Sequence, residues 1–312
     1  MKFLLVGLGF ISTHVALELS RDQSVTVTFN SVNPVKEEYL ALIKSKANAV
    51  KANPLSEEMG KLIKEHDVVV NFVGEISGGE DKLRTANIEI PKTLAKRSFE
   101  EGKMFVHLSG ATSTGITGKN VREETEHCKG AQPKTPFERS KCEGERAVMS
   151  EALERDGSVA ILRPTLVYGR YAVHVQFVTM YKLAKRRIIP DLNLNMATVN
   201  AWSIGRVIRT LGEKMPRRVI VYASECGSVK VSDFFRLMAK RLGGGISIPV
   251  PVGLAKAFLP SEIRSLLRYA GTTYDCTAFR ELGGGETFDS EEVEMNAEFL
   301  KLLDHKGKLI PT

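Results

Sequence analysis

Short apolar runs recur through the first half of this 312-residue chain, each followed by a stretch of helical period, and that alternation constrains the fold more than any other feature. Strands are predicted at Lys2 to Val6, Val25 to Phe29, Asp67 to Val73, Met104 to Leu108 and Val159 to Leu162. Between them, apolar residues spaced three to four apart predict helices at 11–20, 57–65, 88–101 and 138–155. Strands separated by helices are joined by crossovers rather than hairpins, so they pair in parallel and are covered on both faces. Right-handed crossovers then give a doubly wound, Rossmann-type α/β sheet whose ligand sits at the carboxyl ends of the strands.

The first strand runs straight into Gly7-Leu8-Gly9-Phe10-Ile11-Ser12. A glycine at the first position permits a tight turn, and one at the third lets backbone approach a pyrophosphate. The helix start behind them offers unpaired N–H groups and the positive end of a dipole. Ser12 stands where a third small residue packs helix on strand. The spacing, so close to the start of the chain and in a strand–turn–helix setting, points to a bound dinucleotide. The residue after the second strand, which commonly holds the adenine ribose, is Asn30. Asparagine bonds a ribose without repelling a 2′-phosphate, so NAD(H) and NADP(H) both stay open, with Lys36 downstream.

Beyond Gly169 the pattern loosens. Residues 1–169 are expected to form the dinucleotide-binding part, with 201–223 returning to it. Residues 170–200 and 224–312 are expected to make a smaller mixed α/β lobe that contacts substrate or partner. Helices are predicted near 175–185, 204–215, 231–242, 254–258 and 263–269, and a strand near 219–223. The basic stretch from Leu254 to Arg268 reads as a lobe-closing helix. Net charge is +7, which suits an anionic ligand, but the basic residues are too scattered to indicate nucleic acid. No apolar run is long enough to span a bilayer and no secretory pattern is visible, so the expected location is cytoplasmic. Cys128, Cys142, Cys226 and Cys276 lack metal-ligand spacing and read as mostly reduced, structural thiols. No histidine pair has metal-ligand spacing either, and no metal site is expected.

Further segments resemble the extended short-chain dehydrogenase/reductases, the NAD-dependent epimerase/dehydratase group. Ala52-Asn53 resembles the pair flanking the adenine, and Asn71-Phe72-Val73-Gly74 the cofactor-lining end of the fourth strand. Asn87 resembles the asparagine that begins the next helix. Leu108-Ser109 resembles the end of the fifth strand, and Arg163-Pro164-Thr165-Leu166-Val167-Tyr168-Gly169 the sixth. The resemblance covers residues 2 to 169 and implies cofactor contacts at Gly7, Gly9, Phe10, Ile11, Asn30, Asn53, Asn71, Phe72, Val73, Asn87, Leu108, Ser109, Lys141, Pro164 and Thr165.

The family's chemistry, by the same resemblance, uses a tyrosine that exchanges a proton with substrate and a lysine four residues later that holds the ribose and lowers the phenol pKa. Lys141 is present, but the tyrosine position is Phe137. The partner hydroxyl, five residues before Gly115, falls on Gly110, with Ser109, Thr112, Ser113 and Thr114 nearby as substitutes. Leu166 replaces the asparagine that contacts a nucleotide-sugar phosphate, which argues against that substrate class. Glu75 and Glu138 flank the expected nicotinamide pocket and read as solvated carboxylates. His107 reads as a packed, hydrogen-bonded imidazole, and Tyr168 is a weak candidate for a displaced phenol. Three functions follow: a non-catalytic cofactor-binding regulator or accessory subunit, an oxidoreductase with a non-standard proton donor, or, ranked last, an epimerase or dehydratase. Substrate, protein partner and oligomeric state stay open.

Overall fold

The computed structural model describes residues 1–122, 133–251, 253, 264 and 267–311. In chain order the first part runs β1 (Lys2–Val6), α1 (Phe10–Leu19), β2 (Ser24–Phe29), α2 (Pro34–Ile43), β3 (Asn48–Lys51), α3 (Glu57–Glu65), β4 (Val68–Asn71), α4 (Glu80–Arg84), α5 (Ile90–Glu100), β5 (Met104–Leu108), α6 (Pro136–Glu154) and β6 (Val159–Pro164). After it come β7 (Leu166–Tyr168), α7 (Val175–Lys185), β8 (Ile188–Asp191), β9 (Asn195–Met196), β10 (Thr198–Asn200), α8 (Ala201–Lys214) and β11 (Arg218–Ala223). Seven of these strands form one sheet in the order β11-β6-β5-β4-β1-β2-β3. Every pairing in it is parallel. The expected doubly wound α/β sheet is therefore what the chain adopts, and its order reverses between β1 and β4, where such sheets open a crevice.

Strand pleating explains the continuous apolar runs. Leu5, Val70, Val106 and Leu162 join one core, while Leu4, Val69, Phe105 and Ile161 point to the opposite face and join another. Both faces are covered, so alternate residues are all apolar rather than alternately polar. The larger core continues without a break into α7, the helix Val231–Arg241 and the C-terminal helix Ser290–His305.

Several elements lie outside the sequence expectation, and three of them are instructive. Helix α2 has a clear start signal, since Asn33 caps it by accepting the Lys36 N–H at 2.8 Å and Pro34 opens its first turn. Strand β3 is an edge strand, mostly exposed, and has no apolar face to announce it. The helix Ser290–His305 is capped by Asp289, whose carboxylate accepts the N–H groups of Glu291 and Glu292. The predicted helix at 254–258 and residues 263, 265 and 266 of the one at 263–269 lie outside the described residues, as does most of the basic stretch ending at Arg268.

The cysteine expectation is overturned. Cys226, just past β11, and Cys276 form a disulfide across 50 residues, and no cysteine among the described residues is free. Pairing of this kind depends on what the fold brings together, with a Cα separation of 5.4 Å, and leaves no trace in local spacing. No helix among the described residues is long and apolar enough to cross a membrane.

Candidate active site

The two glycines after β1 are held for different reasons. Gly7 has φ of +103°, and a Cβ there would meet the Val73 side chain at 3.1 Å and its backbone nitrogen at 3.2 Å. Gly9 is extended, with φ of −154°, and a Cβ there would meet nothing within 4 Å. Nothing within the protein requires a glycine at that point, and the space beside it is open. Ser12 turns its hydroxyl back to accept the Gly9 N–H at 2.8 Å. The amides of Phe10 and Ile11 then open α1 with no partner among the described residues, at the positive end of its dipole. The Phe10 ring turns inward, edge-on to His174 with centroids 4.8 Å apart.

Around this turn lie the ends of β2, β3 and β4. Asn30 is exposed just past β2, and the Lys36 ammonium reaches back to the Ser31 carbonyl at 3.3 Å. Burial lowers the Lys36 pKa, opposed by the charge of Glu75. Asn53 spends its side-chain oxygen on the Leu55 N–H at 2.9 Å, shaping the turn into α3. Asn71 is buried and accepts the Val73 N–H at 3.1 Å while its amide donates to His107 Nδ1 at 3.1 Å. That pair fixes the loop carrying Phe72 and Val73, both half-buried.

Helix α6 begins with a reciprocal cap: Thr135 accepts the Glu138 N–H, and the Glu138 carboxylate accepts the Thr135 N–H. Phe137 lies in its first turn and is half-buried, and Lys141 follows one turn later with 6% of its surface exposed. A Cβ on Gly74 would come within 2.5 Å of Lys141 Nζ, so the lysine lies directly against the loop leaving β4. Burial pushes the Lys141 pKa down to about 8, against the opposing charges of Glu145 and Glu75. No hydrogen bond ties its ammonium to a described residue.

Asn87, for which the resemblance implies a ligand contact, has its side chain bonded within the protein. It sits in a π-helical turn (Thr85–Glu89), where its amide accepts the Glu75 N–H at 2.9 Å and donates to the Glu75 carbonyl at 2.8 Å. It also donates to Ser140 Oγ at 2.9 Å, so its polar atoms clasp the β4 loop to α6 beneath the lysine. Gly144 permits the approach, since a Cβ there would overlap the Asn87 carbonyl at 2.0 Å.

One turn past Lys141, Glu145 is buried and holds Arg163 of β6 in a two-pronged ion pair, with Nη2 to Oε2 at 2.7 Å. Ser113 donates to the same carboxylate at 2.8 Å. The arginine of the Arg-Pro motif is thus a strut under the site. Pro164 and Thr165 beyond it are half-buried, with the Thr165 hydroxyl 3.4 Å from the Ala223 carbonyl.

Ser109 differs from the other hydroxyls near Gly110. Ser113 is committed to Glu145, and Thr114 lies 3.4 Å from the Tyr222 hydroxyl. Ser109 is buried and its Oγ has no partner. Leu108 beside it packs into the larger core. A Cβ on Gly110 would lie 3.8 Å from Thr112 Oγ1, so the space for a side chain exists and glycine leaves it empty.

Two expectations need correction. Glu138 is 1% exposed rather than solvated: besides the cap, it accepts the Tyr269 phenol at 2.9 Å and faces Arg268 at 3.4 Å. Tyr168 offers no free phenol, since it donates to Glu225 at 2.7 Å and accepts the Asp289 N–H. Glu75 is partly exposed and pairs with Lys82 at 3.1 Å. His107 is packed and hydrogen-bonded through Nδ1, while its buried Nε2 has no partner. Sequence reading missed Glu145, whose partner Arg163 lies 18 residues away on another element. It also missed Tyr269, which no motif marks. Among the described residues no cluster of three His, Cys, Asp or Glu side chains is placed to hold a metal.

The architecture is similar to that of several solved structures. UDP-glucuronic acid 4-epimerase from Bacillus cereus, in complex with UDP-glucuronic acid and NAD, superposes with a TM-score of 0.79 at 19% identity, covering 97% of this chain and all of that one. A tyrosine-to-phenylalanine mutant of that enzyme, with UDP-4-deoxy-4-fluoro-glucuronic acid and NAD, gives 0.76 at 17% over 97% and 100% of the two chains. UDP-N-acetylglucosamine 4-epimerase from Methanobrevibacter ruminantium, with UDP-N-acetylmuramic acid, gives 0.76 at 15% over 96% and 98%. No curated protein matches the sequence. The family model for the NAD dependent epimerase/dehydratase family matches residues 3–230, and the chain belongs to that family.

Proposed function

We propose that this protein binds NAD(H) or NADP(H) across the carboxyl ends of β1 to β6 and interconverts an alcohol and a ketone on a polyhydroxylated substrate. That half-reaction underlies both epimerases and dehydratases. In this reading Lys141 takes over proton exchange from the absent phenol. The observation that carries it is a buried lysine, one turn after Phe137, whose ammonium is tied to no described residue.

The residues fit the cofactor. Gly9 leaves open space over the turn, and the free amides of Phe10 and Ile11 suit a pyrophosphate. Asn30 would meet the adenine ribose, Asn53 the adenine, and Lys141 the nicotinamide ribose. When bound, the nicotinamide supplies the hydride chemistry. Lys141 supplies the rest: as a neutral amine its Nζ takes the proton from a substrate hydroxyl, and as an ammonium it returns it. Glu145, anchored by Arg163, keeps a negative charge one turn away and limits how far burial lowers the lysine. The mutant epimerase described above, crystallised with NAD and a fluorinated sugar nucleotide, supports the view that this architecture can be occupied after a tyrosine-to-phenylalanine change. UDP-linked hexoses are thus the first substrates to test, despite Leu166.

A pH profile tests the assignment. With the lysine near pKa 8, oxidation of the alcohol rises with pH and levels off above about 8, because the neutral amine is the base. Reduction falls over the same interval. Lys141→Met should abolish both, measured by reduced-nicotinamide absorbance with a UDP-hexose panel. Turnover that persists in the variant, or a wild-type profile without that inflection, overturns the lysine's role.

Phe137 and Gly110 favour a second reading, a cofactor-binding protein without turnover, because both positions of the usual proton-exchanging pair lack a hydroxyl. It predicts tight NADH or NADPH binding and no absorbance change with any substrate of the panel.

A further inference from the structure

Two buried polar atoms on β5 and just past its end have no partner: His107 Nε2 and Ser109 Oγ. Neither is given a role in the proposed reaction, and orphan groups of this kind are few in folded proteins. His107 is fully buried and stacks on Phe105 with ring planes 7° apart, so both face the side of the sheet covered by α5 and α6. Ser109 continues the extended chain, since its N–H donates to the Leu162 carbonyl at 2.8 Å. Strand alternation puts it on the same side, one step nearer the carboxyl end.

The imidazole's tautomer follows from its neighbour. Val73 N–H donates to Asn71 Oδ1 at 3.1 Å, which fixes the orientation of that amide. Its Nδ2 then donates to His107 Nδ1 at 3.1 Å, leaving the ring proton on Nε2. Burial and the charge of Lys141 hold the imidazole neutral, with a pKa of about 3. An N–H donor and a hydroxyl, both unpartnered, thus face the same side of the sheet, and the Lys141 ammonium is close enough for its charge to act on the imidazole.

We propose that His107, Ser109 and Lys141 form a cradle for a single oxygen atom that accepts from the imidazole and the ammonium and donates to the serine hydroxyl. A water molecule has this capacity, and so has a substrate hydroxyl. The cradle stands in for the side chain missing at Gly110. It rests on the reading of Lys141 as a site residue, but its occupancy does not depend on turnover.

The test begins with a crystal structure of the cofactor-free protein at a resolution that shows ordered water. Expected is one water within hydrogen-bonding distance of Nε2, Oγ and Nζ together; a dry gap, or a water touching only one of them, overturns the proposal. Crystals soaked with UDP-glucose separate the sources: a sugar hydroxyl at the same point marks a substrate subsite, and an undisturbed water marks a resident one. Either result upholds the cradle.

Titration of Lys141, followed by the NMR shift of its ε-carbon, gives a second readout. The charged and titratable groups around it are Glu145 on α6, Glu75 on the β4 loop and His107 on β5. Ser109→Ala removes one arm without changing the charge, and His107→Phe removes another while keeping the stack on Phe105. Loss of the water desolvates the ammonium further, so the midpoint should move down in both variants. A midpoint that stays put in the well-folded Ser109→Ala protein overturns the cradle while leaving the proposed lysine chemistry standing. Absence of NADH and NADPH binding does the converse.

Discussion

The loops leaving β1 and β5 are the same architectural event, a strand end at the carboxyl edge of the sheet, yet they are built on different principles. After β1 the work is done by backbone: a left-handed Gly7, an open Gly9 and the free amides of α1. After β5 it is done by side chains: Ser113 on Glu145, Glu145 on Arg163, and an uncommitted Ser109 beside an empty Gly110. A backbone site tolerates wide changes in sequence as long as its glycines stay. A side-chain site is lost or rebuilt by single substitutions.

Glu145→Gln should have the largest effect and strike only the second loop. It leaves the Arg163 guanidinium, 1% exposed, without a counter-charge, which typically costs about 3–5 kcal/mol. Chemical denaturation would measure it. A loss below about 1 kcal/mol would mean that the buried pair is not the strut of the β5 side.

The same contrast explains what could be read from the sequence. Doubly wound topology was legible because strands buried on both faces must be apolar throughout, and Gly7 and Gly9 because a tight turn and a close approach restrict residue type. Lys141 was legible only through its spacing from Phe137. The Glu145–Arg163 pair, the clasp of Asn87 on Glu75 and the Cys226–Cys276 bond were not, because each joins residues that only the folded chain brings together. Edge strand β3 escaped for a simpler reason: it has almost nothing to bury.

Gly9→Asp is the matching break on the first loop. The backbone there is extended and the space open, so the fold should tolerate the change. A carboxylate facing the pyrophosphate at a helix start should weaken NADH binding about 100-fold or more. Calorimetry with a parallel thermal melt separates the two: affinity falls while Tm holds. An unchanged affinity would defeat the dinucleotide assignment, and a fallen Tm would show that Gly9, like Gly7, serves the fold.

Phe137→Tyr sharpens the comparison from the other side, by returning a phenol one turn before Lys141. General acid–base groups typically contribute about 100-fold or more, and a gain of that order in turnover of a UDP-hexose is expected. The buried ammonium would lower the phenol pKa, so the pH profile should also acquire a second inflection. No gain would mean that the β5 side has been rebuilt around Lys141 and no longer presents substrate to this position.

Asn30→Asp should give the smallest effect, because it acts at an exposed position on the outer edge of the backbone-built half. A carboxylate there accepts the adenine ribose hydroxyls and repels a 2′-phosphate, but solvent and salt screen that repulsion. The expected outcome is a shift of about tenfold in the NADH to NADPH affinity ratio, roughly 1.4 kcal/mol, shrinking as salt is raised. Lys36, held to the Ser31 carbonyl beside it, is the group that would favour the phosphate in the wild type. If Lys36→Ala alone produces the same shift, the cation rather than the missing carboxylate sets the choice. If neither changes the ratio, selectivity does not reside at the end of β2, and even the backbone-built half keeps one property that its glycines do not determine.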